Sequence, residues 1–323
     1  MQILKEKSRA KSQITFDEDF NVPDAKPDVG RLIQYKGRIS MDDVHLADGK
    51  GILRGDLQVD ILYVGEENGI ISSITAKLPF EETLNLKDIV NGDKLCLKWE
   101  IEDLTIRLIH SRKLNIKALV TFYGAVDETE QVRLPVALDA TDISVRKKTV
   151  RFLGLTVHKK DTLRVKDEYT IASNRPDISG LIWYTMDIRG LDLKPEENIV
   201  KARGELTVFV LYESEDTETP VQWLEYSLPF SGEVECPDCT EELIPDIEVS
   251  VMHQSLEVKP DADGEERILV SDVVLELDMK FFREENIHWL QMCIHHFGNA
   301  FRKGKNEVLE KTSGAEFLQM PDH

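Results

Sequence analysis

The sequence is short of cysteine, of cations and of long apolar runs, and each shortage removes a class of protein. Four cysteines in 323 residues (Cys96, Cys236, Cys239, Cys293) are too few for a disulfide framework in a chain this size. Forty Lys and Arg against 60 Asp and Glu leave a net charge of −20. That balance argues against a general nucleic-acid binder or a binder of anionic membranes, because both need basic surface. It suits basic partners or cations, or simply solubility. No apolar run reaches the length of a membrane span. Met1 to Lys7 turns polar at once and has no signal-peptide core, so the expectation is a cytosolic protein. Catalytic signatures are missing as well: there is no Gly-x-Ser-x-Gly elbow and no zincin His pair. Acids are so common that no carboxylate pair stands out. Neither an enzyme nor a cofactor is expected.

What is present is a repeat. Gly204-Glu205-Leu206-Thr207-Val208-Phe209-Val210-Leu211-Tyr212 has a near-twin 149 positions upstream in Gly55-Asp56-Leu57-Gln58-Val59-Asp60-Ile61-Leu62-Tyr63. Both alternate apolar residues at every second position, the period of a strand. Phe209 and Leu211 make the second one apolar on its other face too, so it is expected to be buried on both sides. Ile14, Phe16, Phe20 and Val22 match Leu163, Val165, Tyr169 and Ile171 at the same offset. Lys26-Pro27-Asp28-Val29 matches Arg175-Pro176-Asp177-Ile178, a turn into a strand. Leu78-Pro79-Phe80 matches Leu228-Pro229-Phe230 at an offset of 150, and Arg112 matches Arg267 at 155. A shared period of this length is the mark of a duplicated structural unit. Hydrophobic content of 41% can fill two cores. Short alternating strands between Pro, Gly and Asp turns point to an all-β chain of two tandem antiparallel sandwich-like modules or open barrels.

The expected order is a loose, charged lead-in over 1–12, a first module over 13–125, a connector over 126–162, a second module over 163–283 and a tail over 284–323. In the connector, Leu134-Pro135-Val136-Ala137-Leu138 and Val150 to Val157 have strand character and are expected to pair with the second copy. It is also basic, with Arg146, Lys147, Lys148, Arg151, Lys159 and Lys160 inside an acidic chain. Lysines on a strand edge guard against aggregation. Alternatively they form a patch complementary to an acidic copy in a neighbouring chain, giving self-association. In the tail, Ile287, Leu290, Ile294, Phe297 and Phe301 recur at spacings of three and four, which predicts a short amphipathic helix. Its apolar face is the second candidate contact surface.

Remaining motifs have plain readings. Cys236-Pro237-Asp238-Cys239 has metal or redox spacing but lacks a second ligand pair or a strand–helix context. Its cysteines match Leu86 and Ile89 in the other copy, so they read as small buried hydrophobes. Cys293 with His295-His296 falls within the tail pattern, where neighbouring side chains diverge, and no metal is expected. Asp261-Ala262-Asp263-Gly264 lacks the full ligand series of a calcium loop and reads as a hairpin turn. Gly49-Lys50-Gly51 has no strand–loop–helix context for a phosphate and reads as a turn.

Several runs in this order resemble the SPOCS domain: Asp161 to Glu168, Asn174-Arg175-Pro176-Asp177-Ile178, Leu181-Ile182-Trp183, Gly204 to Tyr212 and Leu228-Pro229-Phe230-Ser231-Gly232. Ser111 to Leu119 fits the end of a first copy, and the likeness covers roughly residues 10 to 285. The domain occurs in spore-coat and cortex-associated proteins of endospore-forming Firmicutes. The arrangement is similar to the SPOCS and LysM morphogenetic proteins that partner the coat ATPase in the mother cell. Such proteins usually end in a LysM module, and none is read in the tail here. The resemblance implies a non-enzymatic structural or adaptor protein of spore-envelope assembly, located in the mother cell at the forespore surface. Its partners would be coat morphogenetic proteins such as the coat ATPase. The rival expectation is a carbohydrate or peptidoglycan-fragment binder using Trp99, Trp183, Trp223 and Tyr184 as platforms.

Overall fold

A computed structural model describes residues 2–47, 49–67, 69–90, 93–132, 143–216, 218–295, 300 and 301. It is all-β. The first module holds β1 (Gln2–Asn21), β2 (Val29–Ala47), β3 (Lys50–Gly65), β4 (Ile71–Asn85), β5 (Leu95–His110) and β6 (Lys113–Gln131). The second holds β7 (Ile143–Thr170), β8 (Ile178–Glu196), β9 (Ile199–Ser214), β10 (Val221–Glu235), β11 (Ile244–Pro260) and β12 (Glu266–His295), and Ala300–Phe301 adds the two-residue β13. In the first, β2-β3-β4 forms one antiparallel sheet and β1-β6-β5 the other; in the second, β8-β9-β10 faces β7-β12-β11. The two copies therefore share one topology: an outer strand, a three-stranded meander, then a hairpin returning to the first strand.

The repeated strand is the middle of its sheet in each copy, as its alternation requires. Leu57, Val59, Ile61 and Tyr63 on β3, and their counterparts Leu206, Val208, Val210 and Tyr212 on β9, are all completely buried. Each set meets apolar residues of the opposite sheet, such as Leu114, Ile116, Val120 and Phe122 in the first core and Val273, Leu275, Leu277 and Phe281 in the second. Phe209 and Leu211, by contrast, are only half-buried and lie outside the core. Their face of β9 looks outward, where a single sandwich offers nothing to cover it.

The same polar clamp closes both sandwiches. Arg112 donates to the carbonyls of Lys26 (2.7 Å) and Val22 (3.0 Å) and to the Asp28 carboxylate (3.0 Å). Arg267 donates to the carbonyls of Ala172 (2.8 Å) and Arg175 (3.1 Å) and to Asp177. Tyr63 donates its hydroxyl to Pro27 O (2.9 Å), and Tyr212 donates to Pro176 O (3.4 Å). The Pro-Asp turn is thus pinned from two sides, which satisfies carbonyls that no sheet ladder reaches.

Two terminal expectations are corrected. The lead-in is not loose: Gln2 to Ser12 extend β1 and pair along β6 as far as Gln131. Its charges find opposite charges, with Lys7 2.9 Å from Asp93 and Lys5 3.6 Å from Glu130. The tail pattern over Ile287, Leu290 and Ile294 is strand rather than helix, because β12 continues its ladder with β7 to His295↔Ile143. A short helix without a partner face is marginal in water. A strand already paired to a neighbour gains a backbone hydrogen bond at each step. Phe297 lies outside the described residues, as does Leu134 to Leu138. Val150 to Val157 do pair with the second copy, through β12.

Candidate interaction surfaces

Where β11 ends at Ile244↔Phe282, β7 and β12 run on together as a two-stranded ribbon. Thirteen further residues of β12 at ~3.4 Å each carry it roughly 40 Å onward. The basic connector residues divide along it. Lys159 donates to Glu235 O (2.6 Å) and lies 2.8 Å from Asp161, and Lys160 lies 3.2 Å from Asp278. Both belong to the second module's own charge network. Burial pushes the Asp278 carboxyl up, but hydrogen bonds from His158 and Lys160 outweigh it and hold the group below the ordinary carboxylate range. Arg151 lies 3.5 Å from Glu284. Arg146, Lys147 and Lys148, further out, are exposed and have no ion-pair partner among the described residues. Strand alternation puts Lys147 on one face of the ribbon and Arg146 and Lys148 on the other. Ile287 is half-buried on β12 opposite Val150, and Leu290 stands opposite Lys147 in the ladder.

The modules touch through side chains that cross from one to the other. Lys98 reaches Glu248 at 2.7 Å, and Lys280 reaches Asp127 at 3.2 Å. Lys36 donates to Tyr184 O at 2.8 Å, with its ammonium 4.8 Å from the Trp183 ring centre and 5.2 Å from that of Tyr184. Desolvation lowers its pKa, opposed by the charge of Asp60. A partly desolvated cation over two rings is worth roughly 1–2 kcal/mol.

The aromatic platforms divide too. Trp183 is 5% exposed and Tyr184 is half-buried, both beneath Lys36, while Trp99 (40%) and Trp223 (58%) are exposed on different modules. The two exposed rings therefore do not share a module. Trp223 instead stacks on Phe209, with centroids 6.2 Å apart. Sequence reasoning passed over that pair, although the repeat signals it: the first copy has Ser73 and Asp60 at those places.

Cys236 and Cys239 are fully buried, matching the small-hydrophobe reading. Their turn caps the β8–β9 hairpin: Cys236 N donates to Asn198 O (2.8 Å) and Asn198 N to Cys239 O (3.0 Å). Asn198 and Asp238 take positive φ of 63° and 66°, as do Gly49 (78°) and Asp88 (57°) at the matching places in the first copy. Burial, with the neighbouring Cys239, pushes the Cys236 thiol up to about 12. Its reactive thiolate is therefore negligible at neutral pH. Iodoacetamide at pH 8 followed by peptide mass mapping is expected to leave both cysteines unlabelled in the native protein and to label both in urea. Rapid native labelling would contradict this. The Asp261 to Gly264 run is a hairpin turn, with Asp261 accepting from the amides of Asp263 (2.9 Å) and Glu265 (3.1 Å). The side chains of Cys293, His295 and His296 lie outside the described set, and no helix among the described residues is long and apolar enough to cross a membrane.

The sequence model of the family described as SipL, SPOCS domain, matches residues 28–109 and 177–259. No curated protein and no solved structure matches the chain. The two matched stretches begin at the clamp aspartates Asp28 and Asp177 and run through β2–β5 and β8–β11, the same units that the internal offset pairs. Together they span just over half of the chain, which therefore belongs to the SPOCS-domain family, a membership that implies a role connected with sporulation.

Proposed function

We propose that this chain is a non-enzymatic structural or adaptor component of spore-envelope assembly, joining coat or cortex proteins by protein–protein contact. It works in the mother cell at the forespore surface, with coat morphogenetic proteins such as the coat ATPase as partners. The observation that carries this reading is what the duplication keeps and what it changes. The polar residues common to both copies, Arg112 and Arg267, Asp28 and Asp177, Tyr63 and Tyr212, are spent on holding the chain's own turns. The outward faces differ: Asp60 and Ser73 stand where Phe209 and Trp223 do. A scaffold that repeats its frame and varies its faces can hold different neighbours. Exposed sheet edges and charged faces supply ordinary means of recognition.

The test is co-purification of the tagged chain from a lysate of sporulating cells at low and high salt. Specific recovery of a coat morphogenetic protein is expected. Loss of that protein at high salt assigns the contact to charge, including the ribbon cations. Failure to recover any coat protein with a demonstrably folded chain would remove the adaptor reading.

A further inference from the structure

The outer face of the β8-β9-β10 sheet carries an apolar row that the first module lacks. In the ladder Trp183 stands opposite Leu211, and Leu211 opposite Trp223, so three residues cross the sheet side by side. The equivalent row on β2-β3-β4 is Gln34, Leu62 and Ser73. Beside it, Thr75 donates to Asp60 at 2.7 Å, where the second module has Glu225 opposite Phe209. One end of the row is already occupied: Lys36 of the first module seats its ammonium over Trp183. The other end is open. Trp223 is 58% exposed, stacked on Phe209, and flanked on the same face by Glu225 and Glu213, which have no ion-pair partner among the described residues. An aromatic face between two free carboxylates is a seat for a second cation.

The matching cations are on the same chain. Arg146, Lys147 and Lys148 are exposed on the outer reach of the β7–β12 ribbon and unpaired among the described residues, in a protein of net charge −20. We propose that copies of this chain associate head to tail, the Arg146 and Lys148 face of the ribbon of one seated on the Trp223, Phe209, Glu213 and Glu225 patch of the next. The interface continues the row that Lys36 occupies within each molecule. The donor and acceptor surfaces differ, so the contact is heterologous and each copy keeps one free donor and one free acceptor. Assembly is then open-ended. This goes beyond the adaptor role and stands independently of it, since it requires no other protein.

Sedimentation velocity of the purified full chain over a concentration series tests it. The weight-average mass is expected to climb past the dimer at low salt and to return towards the 36.9 kDa monomer at high salt. A donor-blocked variant (Arg146→Gln, Lys148→Gln) and an acceptor-blocked variant (Glu213→Gln, Glu225→Gln), neutralised rather than reversed so that the two blocked surfaces do not attract each other, should each stay monomeric. Mixed, they should form a dimer and nothing larger, because only one working pair of surfaces remains. Trp223→Ala, at an exposed site that leaves the fold intact, should weaken association about tenfold. A wild-type chain that stays monomeric throughout would overturn the proposal, as would growth that survives both blocks. Trp223 emission that responds to a peptidoglycan fragment in a monomeric chain would also overturn it, by giving the patch to a glycan.

Discussion

Replacing Arg267 with alanine is expected to cost about 3 kcal/mol and to lower the melting temperature of the chain by roughly 6–12 °C. Arg267 is 9% exposed and spans three acceptors, Asp177 and the carbonyls of Ala172 and Arg175. Removing it strips the Arg175 carbonyl of its donor, leaves the Ala172 carbonyl with only the Arg175 amide at 2.9 Å, and leaves Asp177 without its counter-charge. Unsatisfied polar groups of this kind account for most of the expected loss. The duplication supplies an internal control. Arg112 makes the equivalent contacts, but its side chain is 29% exposed and its partner Asp28 43%. Water can replace more of what is lost there, so Arg112→Ala should cost only about 1–2 kcal/mol. Arg267→Lys keeps the charge but not the fork, and should fall between wild type and alanine. Thermal unfolding followed by circular dichroism checks the order. Equal losses at both sites, or none at Arg267, would show that the turn is held by something other than its clamp.

Gly55→Ala is expected to destabilise by about 3 kcal/mol, with the matching Gly204→Ala costing about 1 kcal/mol. Each glycine sits inside its strand, at the start of the repeated stretch, and lies where the neighbouring strand breaks register, between Met41 and Asp43 in one copy and between Arg189 and Asp192 in the other. A Cβ on Gly55 would collide with Ser40 O and meet Met41 Cα at 3.2 Å, both backbone atoms of β2. The strand itself would have to retreat. On Gly204 the nearest atoms are ring carbons of Phe230 at 2.8 and 2.9 Å, while Arg189 O is 3.4 Å away. A ring can tilt where a backbone bulge cannot, hence the smaller cost. Urea unfolding of the two variants measures the difference directly. A Gly55→Ala midpoint equal to wild type would mean that β2 does not approach β3 as closely as described.

The parts of the fold legible in the sequence are those written twice. Alternation over Leu57 to Tyr63, copied at Leu206 to Tyr212, locates the central strand of one sheet in each sandwich, and the shared Pro-Asp turn locates the start of the strand beside it, β2 or β8. Two segments escaped because periodicity does not carry their pairing. Lys5 and Lys7 in the first strand face Glu128, Glu130 and Asp93 at a distance in sequence, so their partners are chosen by charge. The tail's spacing of three and four fits a helix in isolation, yet the ladder from β7 continues past it and takes the backbone groups. The inward-facing alternation over Leu206 to Tyr212 is legible, but Phe209 and Leu211 are only half-buried, not covered as a strand apolar on both faces predicts. A run apolar on both faces implies a cover, and one sandwich has none to give. Of the contact surfaces, the basic stretch was visible as composition. Which of its members are free depended on the positions of Glu235, Asp278 and Glu284 in space.

Fluorescence imaging of the tagged chain through sporulation tests the central reading most directly. In an endospore-forming host, the expected signal lies in the mother cell and gathers into a shell around the forespore as the envelope is laid down. Removing the coat ATPase is expected to disperse that shell. A signal spread evenly through the mother cell, or confined inside the forespore, would contradict a role in building the spore envelope.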